Sequence, residues 1–184
     1  MSMRKYVAIA GLCLLAPIAQ AQVYNLGRVA SEKEIAGWNL DITPDGAALP
    51  RGSGTVKQGG EIYAASCAAC HGAKGEGTVA DRLVGGIGSL NTGKPLNTVG
   101  SFWPYATTIY DYINRAMPYT APQSLTPDQV YAVTAYILHL NGIVAADASL
   151  DATSLPKVRM PNRDGFRPDP RPDTSNMACR TDCR

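Results

Sequence analysis

The sequence predicts an all-α domain of three to five helices with extended N- and C-terminal arms. Two observations lead there. Between about Thr55 and Ala145, three segments carry helical spacing, with start and stop residues at their ends. Beyond about Ala146 the chain turns Pro- and Arg-rich, "LPKVRMPNRDGFRPDPRPDT", and the five prolines from Pro156 to Pro172 exclude a long helix or a central strand. The expected organisation is a leader over 1–21, an arm with one short helix over 22–54, a compact domain over 55–145 and a second arm over 146–184.

The leader opens Met1-Ser2-Met3-Arg4-Lys5, runs apolar through "YVAIAGLCLLAPIA" and reaches Ala19-Gln20-Ala21. A basic start, a short apolar run and a small-x-small site predict a cleaved secretory signal peptide. No later segment approaches the ~18 apolar residues that a span needs, so no membrane anchor is expected. Without Arg4 and Lys5 the formal charge of +2 falls to zero. Such a balance points neither to nucleic acid nor to a polybasic membrane surface.

In the first arm, "SEKEIAGW" pairs Ser31 with Glu34 three residues on, a capping box. Tyr24, Leu26, Trp38, Leu40 and Ile42 are too apolar for a solvated linker, so the arms are expected to wrap the core or a partner. In the compact region, "TVKQGGEIYAASCAACH" reads as a helix whose Gly59 and Gly60 cost propensity and therefore mark the close approach of another helix. That partner is "TPDQVYAVTAYILHLNG", with Thr126 as N-cap, Pro127 at the first helical position and Gly142 as the stop. Its expected buried stripe is Val130, Val133, Thr134 and Ile137, which sets His139 on the solvated face. A third helix near "YATTIYDYINRA" ends at Met117-Pro118.

Cys67-Ala68-Ala69-Cys70-His71 carries the chemistry. A zinc site would want two more thiolates or imidazoles at ligand spacing, and a thioredoxin-like site a βαβ pattern around the pair; both are missing. C-x-x-C-H is the attachment sequence of c-type haem, in which two thiols bond the vinyl groups and the imidazole ligates iron. At i, i+3 and i+4 the three side chains share one helical face. Phe is scarce, with 2 residues against 9 Tyr, so a buried porphyrin would supply apolar volume that the core lacks.

The iron needs a sixth ligand. With Met160 and Met177 in the Pro-rich arm, beyond the compact region, Met117 is the methionine inside the haem domain, in a turn flanked by Pro118. His/Met ligation raises the reduction potential and closes the iron to substrates, which favours electron transfer over catalysis and leaves no catalytic residue to assign.

The helix with Tyr63 before CxxCH, the Met-bearing loop and the aromatic C-terminal helix together resemble a class I cytochrome c. "GWNLDITPDGAALPRGSGTVKQGGEIYAASCAACHG", "TVGSFWPYATTIYDYINRAMPYTAPQSLTPDQVYAVTAYILHLNGIV" and "LPKVRMPNRDGF" resemble more closely the SoxD-like cytochrome subunit of periplasmic sulfur dehydrogenase, from the Sox thiosulfate-oxidising system. The resemblance implies a class I cytochrome c fold around one covalently bound haem c. It also implies a periplasmic electron-transfer subunit. Its partner would be a molybdenum-cofactor dehydrogenase oxidising sulfane sulfur, with a downstream cytochrome or oxidase as acceptor. A sulfite dehydrogenase's cytochrome is the alternative, and a haem enzyme acting directly on a small substrate a more distant one. The family pattern further implies Trp103, Tyr105 and Arg115 at the haem propionates, and a loop through Leu83, Gly85 and Gly86 whose carbonyl accepts from the His71 ring.

Cys179 and Cys183 in "MACRTDCR" lie far from the motif, and no His follows Cys183. In an oxidising compartment a local disulfide between them is expected, the competing arrangement being pairing with a second chain.

Overall fold

The computed structural model describes residues 26–170, which fall into two units, one through Trp38 and one from Asn39. The first holds helix α1, Glu32–Trp38. Its capping box is formed as expected: Ser31 Oγ accepts from Glu34 N–H at 3.3 Å, and Ser31 N–H donates to the Glu34 carboxylate at 2.9 Å. The Arg28 guanidinium beside it holds the Glu34 carboxyl down at about 2.

The second unit contains strand β1 (Ser53–Thr55), helices α2 (Val56–Ser66), α3 (Ala68–His71), α4 (Val99–Phe102), α5 (Ala106–Ala116) and α6 (Pro127–Leu140), strand β2 (Ser149–Asp151) and a 3-10 turn at Leu155–Lys157. Its regular elements are mostly helical, as the sequence predicts. The antiparallel ladder, pairing Ser53 with Asp151 and Thr55 with Ser149, is an addition to the expected elements. Three residues are too few to show strand alternation in sequence.

Helix α6 is the axis of the core. Thr126 caps it by accepting from Gln129 N–H, and the Gln129 side chain returns a bond to the Thr126 backbone. It ends in a Schellman motif: Ile143 N–H bonds the Leu138 carbonyl and Gly142 N–H that of His139, with Gly142 at φ +70. Helix α2 crosses it where a Cβ on Gly59 would lie 1.9 Å from the Ala132 carbonyl oxygen. The expected contact between these helices is therefore made backbone to backbone. β1 presses on the same residue, since a Cβ on Gly54 would stand 2.2 Å from Ala132 N.

This double cover changes the reading of α6. Tyr131, Ala132, Ala135 and Leu138 are buried along with the expected stripe. His139 is accordingly half-buried, not solvent-facing, and its Nδ1 donates to the Val144 carbonyl at 3.1 Å. Fully buried tyrosines fill much of the space that Phe would take: Tyr110 and Tyr131 pack with ring centroids 4.5 Å apart, and Tyr131 donates to the Pro50 carbonyl at 2.8 Å.

The stretch after Ala146 wraps the core. Leu150 in β2, Leu155 (0 % exposed) and Met160 (1 %) belong to the main hydrophobic cluster. Met160 thus lies inside the compact unit, where the sequence had set it outside. At the other end Ile42 packs on the cluster, and its N–H donates to Asp111 at 3.2 Å.

Candidate haem site

Helix α2 starts on a Thr55–Gln58 capping box and delivers Tyr63 into the core. It stops at Cys67, whose backbone (φ −125, ψ −37) leaves helical geometry. The motif then forms its own turn: Cys70 N–H and His71 N–H bond the Cys67 carbonyl at 3.1 and 3.0 Å. The i, i+3, i+4 spacing of Cys67, Cys70 and His71 is thereby kept on this one turn. Tyr63 ties it down from beneath, donating to the Gly72 carbonyl at 2.9 Å.

After His71 the chain curls back. Gly72, Gly75 and Gly77 take positive φ (84, 70 and 82), which lets Gly77 N–H reach the His71 carbonyl at 2.7 Å and Ala80 N–H reach that of Cys70 at 3.0 Å. The outcome is a contact between His71 Nδ1 and the Asp81 carbonyl oxygen at 2.7 Å. A carbonyl can only accept, so Nδ1 carries the proton and Nε2 presents its lone pair for a metal. The accepting carbonyl was expected near Leu83, Gly85 and Gly86; it belongs to Asp81, just before them.

Cys67 and Cys70 are unpaired thiols, Cys67 half-buried and Cys70 exposed. Burial first, then the neighbouring Cys70, pushes the Cys67 thiol up to about 11. A thiol held protonated is a poor nucleophile for disulfide exchange. Among the described residues no group of three or more His, Cys, Asp or Glu is arranged to hold a metal ion. A free imidazole Nε2, two unpaired thiols and no further ligand cluster fit a haem better than a protein-only metal site. Leu83, Trp103, Met117 and Leu125 are half-buried and pack on the core cluster.

Met117 caps the C-terminus of α5 in extended conformation (φ −122, ψ 150) and is half-buried. Its N–H still bonds the Ile113 carbonyl at 3.0 Å, and the Met117–Pro118 peptide is cis. Trp103, also half-buried, stands edge-on to Tyr112 with centroids 5.7 Å apart. Tyr105, the N-cap residue of α5, has the Arg163 guanidinium 4.2 Å above its ring. Arg115 makes two ion pairs within the protein. It donates to Asp111 at 2.5 Å and to Asp41 at 3.2 Å, so its guanidinium is engaged by carboxylates of the protein itself. Asp41 is remote in sequence, which hid this pairing.

Asn141 was missed. Its side chain reaches the loop after Asp81, and the signal available was only its place before the stop residue Gly142. The signal peptide over 1–21 and the Cys179–Cys183 pair lie outside the described residues. Among the described residues no helix is long and apolar enough to cross a membrane.

Residues 56–141 match the cytochrome c family, which implies haem c. Comparison with curated protein sequences gave no match. Among solved structures, the chain is similar to one from the crystal structure of the sulfane dehydrogenase SoxCD from Paracoccus pantotrophus. The two share 42% identity with a TM-score of 0.76, over 88% of this chain and 83% of that one. On these likenesses the chain belongs to the class I cytochromes c, close to the SoxD cytochromes.

Proposed function

We propose that this chain is a periplasmic electron-transfer subunit. It carries a single haem c on Cys67 and Cys70, with His71 and Met117 as the iron's axial ligands. It accepts electrons from a molybdenum-cofactor dehydrogenase that oxidises sulfane sulfur and passes them through a downstream cytochrome or oxidase to the respiratory chain. The observation that carries the reading is the 42% identity to a chain of the SoxCD sulfane dehydrogenase, spread over 88% of this sequence.

The bound haem supplies a one-electron couple, and the chain's own residues set its conditions. Cys67 and Cys70 fix it through thioethers. His71, donating through Nδ1 to Asp81, presents an electron-rich Nε2. Met117, held at the end of α5, would offer its thioether to the iron, a ligand that raises the potential. Trp103 N–H, Tyr105 O–H and the Arg115 guanidinium, which also pairs with Asp111 and Asp41, are the donors proposed for the propionates.

Rapid mixing of the oxidised holoprotein, in complex with its dehydrogenase subunit, with a protein-bound cysteine persulfide tests this. Haem reduction within the turnover time supports the reading. Reduction by sulfite alone would transfer the chain to a sulfite dehydrogenase, and direct oxidation of a small substrate by the isolated cytochrome would make it a haem enzyme.

A further inference from the structure

We infer that Asn141 is a positioning residue for the proximal histidine. The inference rests on the proposed ligation of iron by His71. As a helix cap, Asn141 needs only the bond from its Nδ2 to the Ile137 carbonyl, 2.9 Å away on its own helix. Its amide does more. Nδ2 also donates to the Leu83 carbonyl at 3.2 Å, and Oδ1 accepts from Gly85 N–H at 3.2 Å. One side chain thus grips, by a donor and an acceptor, the loop that begins at Asp81.

Asp81 is itself exposed, so its carbonyl is held by the chain on either side. Upstream, Ala80 N–H is tied to the Cys70 carbonyl at 3.0 Å; downstream, Leu83 and Val84 N–H both reach the Gly75 carbonyl, at 2.9 and 3.1 Å. Asn141 holds the far side of the same turn, helped by Thr98, whose hydroxyl donates to the Gly85 carbonyl at 2.6 Å. The seat for the amide is made by Gly100, where a Cβ would stand 2.2 Å from Asn141 Oδ1. Asn141 is only 9% exposed, so these bonds compete little with water. The C-terminal end of α6 is in this way connected, through Leu83 and Gly85, to the carbonyl that accepts the hydrogen bond of the His71 ring.

The consequence is electronic. Donation from Nδ1 to a well-placed carbonyl makes the imidazole more basic, which favours the ferric iron and lowers the potential. Loosening the loop weakens that donation and leaves the ligand poorer. Asn141→Ala in the holoprotein is therefore expected to shift the midpoint potential upward. It should also speed solvent exchange of the His71 Nδ1 proton, followed by NMR in the reduced state, by roughly fivefold or more, the equivalent of one hydrogen bond. Leu150→Ala, in the ladder strand, is the control: it lowers the melting temperature without moving the potential or the exchange rate. Asn141→Ser, neutral and still short, loses the same two loop contacts and gives the same shifts if the alanine variant does not accumulate. Covalent haem and a low-spin spectrum in the unaltered protein, recorded first, test the haem reading separately. If that spectrum is normal and both Asn141 variants melt earlier with potential and exchange unchanged, Asn141 is only a cap and the inference is overturned.

Discussion

A Cβ added to Gly59 would lie 1.9 Å from the carbonyl oxygen of Ala132, so α2 and α6 meet without any side chain between them. The obstacle is backbone and cannot rotate away. Tyr136 Cβ, 2.8 Å from the same point, closes the second direction of escape. Gly59→Ala should therefore destabilise the holoprotein by about 3 kcal/mol or more, at the upper end of overpacking costs. Denaturant titration checks it, and a loss no larger than that of an exposed helix substitution would mean that the helices part easily.

Met117 carries the proposed distal ligation. Met117→Ala should abolish the long-wavelength charge-transfer band of thioether-ligated ferric haem and lower the midpoint potential. His139→Ala should leave the spectrum unchanged, because Met117 and not that imidazole is the proposed second ligand. A band that survives the methionine change would move the ligand elsewhere.

The chain after Leu155 carries part of the core. Met160 is 1% exposed in the main cluster, so Met160→Ala should cost about 2–5 kcal/mol, as other large-to-small core changes do. A chain ending at Leu155 should melt far earlier than the full-length protein. Thermal melts of the two proteins decide this.

Burial pushes the Tyr63 phenol up to about 12. The unfolded phenol releases its proton near 10, while the folded one keeps it until about 12. Between those values the unfolded state binds fewer protons, so stability falls as pH rises; below pH 10 the contribution is complete. Tyr63→Phe should make that alkaline fall shallower. At neutral pH it should cost about 1–3 kcal/mol, because the Gly72 carbonyl loses its donor. Melting temperature against pH for both proteins measures the two effects together.

Features decided by neighbours in sequence were legible before the structure. The Thr126 cap, the Gly142 stop, the end of α5 at Met117 and the Cys67–His71 turn are each written within a few residues. Gly59 was legible for another reason: a glycine in a helix is costly enough to need an explanation from outside it. Features decided by distant residues were hidden. Arg115 finds Asp41 only after folding, and β1 finds β2 across nearly the whole domain. Met160 was set beyond the compact region because prolines surround it. They exclude regular elements, and a proline-rich chain can still bury a side chain.

The central claim is that Cys67 and Cys70 carry one haem c. Intact mass of the exported protein under denaturing conditions tests it most directly, since a thioether-bound haem stays with the chain when the fold is lost. The account predicts the mass of residues 22–184 plus one haem, with a tryptic peptide containing Cys67 and Cys70 bearing the whole increment. A chain of bare polypeptide mass, or one whose Cys67 and Cys70 remain alkylatable, would contradict it.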